Sequence, residues 1–461
     1  MKTMRSIWAV AQNTLAQALR MKIAVVTILL LLILLPLMGK IMDGDGTLLG
    51  KLQTFTSYSL ALVSVLLCIL TISIAAFTLS NDLKRKYIFM IITKPIRRTE
   101  LIAGKLLGII MLNVLLLSIF SVIVYALTML IWNYSDVSPE QKLRAQTEFF
   151  TSRVGVKTVL DEETLKKRAN DRFKQLDAQG QIPEGMTYLN AFRELYGQEV
   201  MISQKVDPGQ IREWTFENVR VSDRENPDTV IFIRYKLQAV TAPADESVYG
   251  RWRIGDLRQF RAGGKVMTPV YPFERGDALR TVHEFTVPAD AVTDDGFLQL
   301  AFYNDPGFNQ TTIIPEDIEV LYRTGGFTQN YIRAVLLVFV RLIFLAVLGV
   351  SLSTWLSFPV AILVCLAVFF AGLTNGFILD AIDGLASVLG LVYMFTVKPL
   401  LWLLPQFDGI YNPGLYIVEG RTLRWTFLAF TAGVTLMIKA LLMLLLGMFV
   451  FSRREVAKAV V

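Results

Sequence analysis

The residue types that could do chemistry are few and far apart. His283 is the only histidine, and the two cysteines, Cys68 and Cys365, sit inside apolar runs. No His/Cys set therefore has the spacing of a metal site, and His283 reads as a sheet residue. Neither a nucleophile elbow nor a zinc-protease helix occurs. Gly46-Thr47-Leu48-Leu49-Gly50-Lys51 looks like a phosphate loop, but it lacks the four-residue gap between glycines and the Ser/Thr after the lysine. The sequence names no catalytic residue, no cofactor site and no ATPase of its own. Two charges are misplaced instead: Arg341 and Lys439 each fall near the middle of a long apolar run. A cation at mid-bilayer costs at least a few kcal/mol and usually faces protein or water. Both either line a translocation cavity that attracts an anionic headgroup or substrate, or they are structural. In the structural case Arg341 pairs with Asp380 or a carbonyl, and Lys439 snorkels outward.

The elements that would carry these two cations are set by composition. Hydrophobic residues make up 53% of the 461 residues, too many for an ordinary soluble chain. The formal charge of +7 hides an asymmetry: residues 133–330 hold 24 basic and 30 acidic groups, which leaves +13 on the remainder. A basic membrane part and a mildly acidic soluble part fit a two-compartment protein and give no sign of a nucleic-acid partner. Residues 133–330 contain no cysteine, so a disulfide framework is excluded there.

Along the chain, residues 1–20 read as an amphipathic helix on a membrane surface, with Ile7, Trp8, Ala11, Leu15 and Ala18 near one face and Lys2, Arg5 and Arg20 as its charges. Six spans are expected, at Met21–Met38, Phe55–Leu79, Leu106–Trp132, Tyr331–Leu352, Phe358–Ile378 and Trp425–Phe451. Residues 381–405, interrupted by Gly384, Gly390, Lys398-Pro399 and Pro405, read as a broken element dipping into the outer leaflet. Gly104/Gly108 and Gly372/Gly376 permit close helix approach. Between spans two and three, Leu83, Tyr87, Met90 and Ile91 give one apolar stripe, Thr93-Lys94-Pro95 breaks the helix, and Thr99 caps the next with Glu100 in its first turn. Seven basic residues between Asn81 and Lys105 place this connector and both termini in the cytoplasm, and residues 133–330 outside. That outer region reads as a helical preface over 133–210, begun by Ser138-Pro139, and a β-sandwich of about seven or eight strands over 211–330, with a jelly-roll preferred. The fold class is thus an α-helical polytopic membrane protein with an inserted α+β domain. Trp214, Trp252, Tyr249, Tyr271 and Phe273 either form a sugar-stacking platform or fill the sandwich core.

Lys94-Pro95-Ile96-Arg97-Arg98-Thr99-Glu100, followed by Gly104-Lys105-Leu106-Leu107-Gly108, resembles the K-P-[IV]-x-R-x-E…G-K-x-x-G run of ABC transporter permeases of the ABC-2 type. Leu404-Pro405-Gln406-Phe407-Asp408, with Ile417-Val418-Glu419-Gly420 downstream, resembles the segment before the last helix in the same family. The resemblance covers residues 1–132 and 331–461 and leaves the insertion out. It implies the membrane-spanning subunit of an exporter in a bacterial inner membrane, paired with a second copy or paralogue and with an ABC ATPase that binds the ATP and Mg. The coupling segment to that ATPase would be 80–105, through Lys84, Tyr87, Lys94, Pro95, Arg97, Arg98, Glu100 and Lys105. Cargo or an envelope partner would meet the outer domain. Two alternatives stand beside it: a non-transporting anchor whose sandwich binds or senses, and an ATPase-coupled subunit that moves an envelope partner rather than cargo.

Overall fold

The computed structural model describes residues 2–84, 97–158, 162–182, 186, 188–222, 224, 226, 229–261, 268–392, 396 and 398–453. The chain divides into two units, a helical one (1–151, 326–384 and 391–461) and one built mainly of residues 152–325.

The helical unit begins with α1 (Lys2–Leu19), then α2 (Lys22–Ile41), α3 (Leu48–Lys84), α4 (Arg98–Tyr134) and a short α5 (Pro139–Glu148). After the insertion come α9 (Phe327–Leu352), α10 (Phe358–Val392), the short α11 (Lys398–Leu403) and α12 (Pro413–Val418), and finally α13 (Trp425–Arg453). Among the described residues six helices are long and apolar enough to cross a membrane: α2, α3, α4, α9, the Phe358–Leu379 part of α10, and α13. α10 runs on to Val392, so the element expected from Ala381 is, as far as that residue, continuous with the fifth long apolar helix; residues 393–395 and 397 lie outside the described residues. Glycine costs a helix only about 1 kcal/mol, so Gly384 and Gly390 alone do not break one.

α1 lies against α4 through the first glycine pair. A Cβ on Gly104 would stand 2.6 Å from Val10 Cβ, and one on Gly108 would stand 2.6 Å from the Ala11 carbonyl. The buried stripe of α1 is therefore Ala11, Thr14 and Ala18, while Trp8 is turned outward. α13 is not uniform. Its middle, Gly433–Ala440, is a π-helix between α-helical ends, with Lys439 inside it.

The second unit holds eight strands: β1 (Thr151–Lys157), β2 (Ile211–Phe216), β3 (Val230–Ala239), β4 (Ser247–Gly255), β5 (Tyr271–Ala278), β6 (Val282–Pro288), β7 (Leu298–Asn304) and β8 (Ile313–Gly326). It also holds the helices α6 (Glu162–Ala178), α7 (Tyr188–Gln204) and α8 (Arg258–Arg261). The sheets are ordered β1-β8-β3-β6 and β2-β7-β4-β5. Pairs β1/β8 and β3/β6 in one sheet alternate with β2/β7 and β4/β5 in the other, which is how a long hairpin folds into an eight-stranded jelly roll. Strand β1 lies in the stretch expected to be only helical, while α5 packs in the helical unit. Between the sheets lie Trp214, Tyr235, Trp252, Phe285 and Phe302, with Trp252 1% exposed.

Candidate functional site

Two places in the helical unit collect the residues singled out by sequence. The first is where α3 ends and α4 begins. Lys84's side chain, and Tyr87, Lys94 and Pro95 entirely, lie outside the described residues, as does most of the expected Leu83–Ile91 helix. The four remaining coupling residues divide sharply. Arg97 is exposed and precedes the first turn of α4. The Arg97 backbone N–H donates to the Glu100 carboxylate at 3.4 Å, so the carboxylate reaches back to a free donor, and Thr99 sits inside the helix rather than at its cap. Arg98 donates from Nη1 to the carbonyls of Phe451 and Ser452, both at 3.1 Å, and so ties the start of α4 to the end of α13. Lys105, 2% exposed, meets the Asp82 carboxylate at 2.5 Å and the Thr78 carbonyl at 3.0 Å. The ammonium and carboxylate are compensated against each other, which is what makes burial of both tolerable.

The second place is loop 404–408, and it gathers both misplaced cations. Arg341, on α9 and 7% exposed, donates from Nη1 to Ser64 Oγ on α3 at 3.1 Å and from Nη2 to the Phe407 carbonyl at 3.0 Å. Its guanidinium also lies over the Phe407 ring, 4.6 Å from the centroid. Lys439, 8% exposed, donates to the Leu404 carbonyl at 2.8 Å and stands 5.2 Å from the Trp402 ring centroid. It turns inward to a helix end, where a cation meets free carbonyls, instead of snorkelling outward. Neither cation is within ion-pair distance of a carboxylate among the described residues, and the Asp380 side chain lies outside them.

α10 holds the same loop from a third side. Asn375 Nδ2 donates to the Pro405 carbonyl at 3.5 Å and, in α11 just before the loop, to the Leu401 carbonyl at 3.3 Å, and the Phe407 N–H donates to the Gly372 carbonyl at 2.8 Å. The Gly376 N–H donates to the Asp408 carboxylate at 2.7 Å and the Phe377 N–H at 3.3 Å. The second glycine pair thus seats a loop rather than a helix: a Cβ on Gly376 would stand 2.7 Å from Asp408 Oδ2, and one on Gly372 would meet the Phe407 ring at 2.8 Å. Because Arg341 falls near the middle of α9, the chain around Phe407 reaches the middle of the helix bundle. It then climbs back, since Asn330 near the start of α9 donates to the Arg421 carbonyl at 2.8 Å and accepts from the Leu423 N–H at 2.8 Å. Residue type alone does not single out Asp408 or Asn375; Leu404–Asp408 stands out in the sequence only as a motif.

In the β unit the aromatics suggested as a sugar platform separate. Trp214 and Trp252 are core, Phe273 packs on Phe285 with centroids 5.0 Å apart, and the Tyr271 hydroxyl donates to Asp290 at 2.9 Å. Tyr249 remains outside, against the exposed Phe308 ring. The outer face of sheet β2-β7-β4-β5, which Arg251 and Arg253 share with Tyr249, carries a groove of about 490 Å³ lined by Glu213, Arg251, Arg253, Phe260 and Tyr303, with parts of Trp252 and Phe273 at its wall. Arg251 is paired there with Glu274 and Asp305. Comparisons with family models, with curated proteins and with solved structures find no match for this chain.

Proposed function

We propose that this chain is the membrane-spanning permease subunit of an ATP-driven ABC transporter of the ABC-2 type, working as an exporter. A separate ATPase would act on the 80–105 segment, a second permease copy or paralogue would complete the dimer, and both termini would lie in the cytoplasm of a bacterial cell. The observation that carries the reading is the position and bracing of the K-P-I-x-R-x-E…G-K-x-x-G run. It starts in the connector between the second and third apolar helices and continues into the first turns of α4, where Arg98 is tied to the end of α13 and Lys105 to Asp82 on α3. A load applied to such a connector moves helices rather than dissipating in a loop. Arg97, within the run, is exposed and open to a partner.

The test is a mild-detergent pull-down on the full chain. A Walker-motif ATPase is expected to co-purify with wild type and to be lost with Pro95→Ala or Arg97→Ala, in a protein that still elutes as the wild type does. Absence of any ATPase from the wild-type preparation under several detergents overturns the reading. The groove on sheet β2-β7-β4-β5 favours the second reading, an anchor whose outer domain binds or senses; ATP-dependent flux in proteoliposomes separates the two.

A further inference from the structure

We infer that α13 is a transmission rod: its π-helical segment and Lys439 convert movement at the connector end into release of the Leu404 end of loop 404–408. Three contacts on one helix carry the argument. At the lower end the Phe451 and Ser452 carbonyls are held by Arg98, the residue that opens α4 directly after the connector. In the middle, Gly433–Ala440 is π-helical. Within that segment Lys439 grips the Leu404 carbonyl and faces Trp402.

A π segment accommodates surplus chain inside an α-helix, and it is less favourable than the α-helix around it. If the lower half of α13 moves by one residue relative to the upper half, a turn of about 100° and a slide of about 1.5 Å, the surplus is taken up and the middle becomes α-helical. That turn carries Lys439 off the Leu404 carbonyl. Loop 404–408 then loses one of its holds, while Arg341 and α10 keep the others. The device is bistable: both ends of the rod have a defined contact, and the element between them has two packings of the same residues. Gly433 has nothing within 4 Å of an added Cβ, so the upper end of the segment has room to turn.

Trp402 is the native reporter. The full chain, labelled with 5-fluorotryptophan, gives one ¹⁹F resonance for each of its 7 tryptophans, and Trp402→Phe assigns the one of interest. Lys439→Met is expected to move that resonance locally. Arg98→Gln, at the far end of the rod, is expected to move it as well, and to have no effect in the Lys439→Met background. Deleting Val434 removes the surplus residue and is expected to reproduce the Lys439→Met shift, while Lys439→Arg and Arg98→Lys hold the wild-type position. Trp214 and Trp252, in the other unit, report folding by staying in place. The inference is overturned if Arg98→Gln leaves the Trp402 resonance unmoved, if it moves it equally with and without Lys439, or if the Val434 deletion leaves it unmoved. It rests on the permease reading only for what loads the connector. No ATPase enters the measurement, so its failure leaves that reading standing, and failure of the pull-down leaves the rod standing.

Discussion

Lys105 belongs to a motif expected to meet another chain, yet its ammonium is buried against Asp82 and the Thr78 carbonyl. Removing one member leaves the other charged and unpaired in an apolar setting, so Lys105→Met should cost roughly 3–5 kcal/mol. The double change Lys105→Met, Asp82→Leu should recover most of it. Thermal unfolding in detergent, read as a double-mutant cycle, checks this; purely additive losses would mean that the pair is not coupled. In the β unit, burial and then the Asp277 carboxylate that accepts its hydroxyl push the Tyr235 phenol well above its ordinary range. A raised pKa means that the folded state holds its proton longer than the unfolded one. The linked stability is complete below the usual phenol pKa of about 10 and falls as pH rises past it. Unfolding of this unit followed between pH 9 and 11 should therefore slope less steeply for Tyr235→Phe than for wild type. At this scale the sequence is informative about charge and leaves the partners open, with Asp380 or an unspecified carbonyl for Arg341 and an outward turn for Lys439. Arg341 and Lys439 stand out in any apolar run, but what they bind are backbone carbonyls of Phe407 and Leu404, which leave no trace in residue identity.

The second glycine pair is an element-scale case of the same limit. Its spacing announces a close approach, and only the structure tells which segment arrives there. Gly376→Ala would drive a methyl group against Asp408, so it should loosen loop 404–408, seen as faster thiol labelling of Gln406→Cys. Gly433→Ala meets nothing and should leave that labelling unchanged. Long apolar runs made the six helices legible because twenty such residues have few other fates. Strand β1 was missed for the opposite reason. It has one glycine and two basic residues among its seven, and its neighbour β8 is more than 150 positions away. The alternation of Val154 and Val156 was the available signal. Gly155 in that strand is tied to this pairing, since a Cβ there would overlap the Glu319 carboxylate. A π segment has no such signal, because it is made of the same residues as the helix around it.

At the scale of the whole molecule, the charge asymmetry and the switch from helical to alternating patterns marked two units, and each has its own core. Trp252→Ala should cost about 3–5 kcal/mol in the sandwich alone. Near-ultraviolet circular dichroism is expected to resolve two melting transitions, of which only one moves; a common shift would mean that the cores unfold together. The place where the helical unit gives up the chain and takes it back is itself closed. The Phe327 N–H donates to the Phe150 carbonyl at 3.2 Å, and the rings of Phe149, Phe150, Phe327 and Tyr331 pack on one another with Trp132 and Tyr125 around them. Two chain ends held side by side need no insertion to join them, and domains are tolerated as inserts where the host's ends are already close. The helical unit thus closes on itself at this point, with a gap that a short loop would span. Residues 152–325 could be replaced by a short linker, or by another folded unit whose ends lie close together, without moving Phe150 or Phe327.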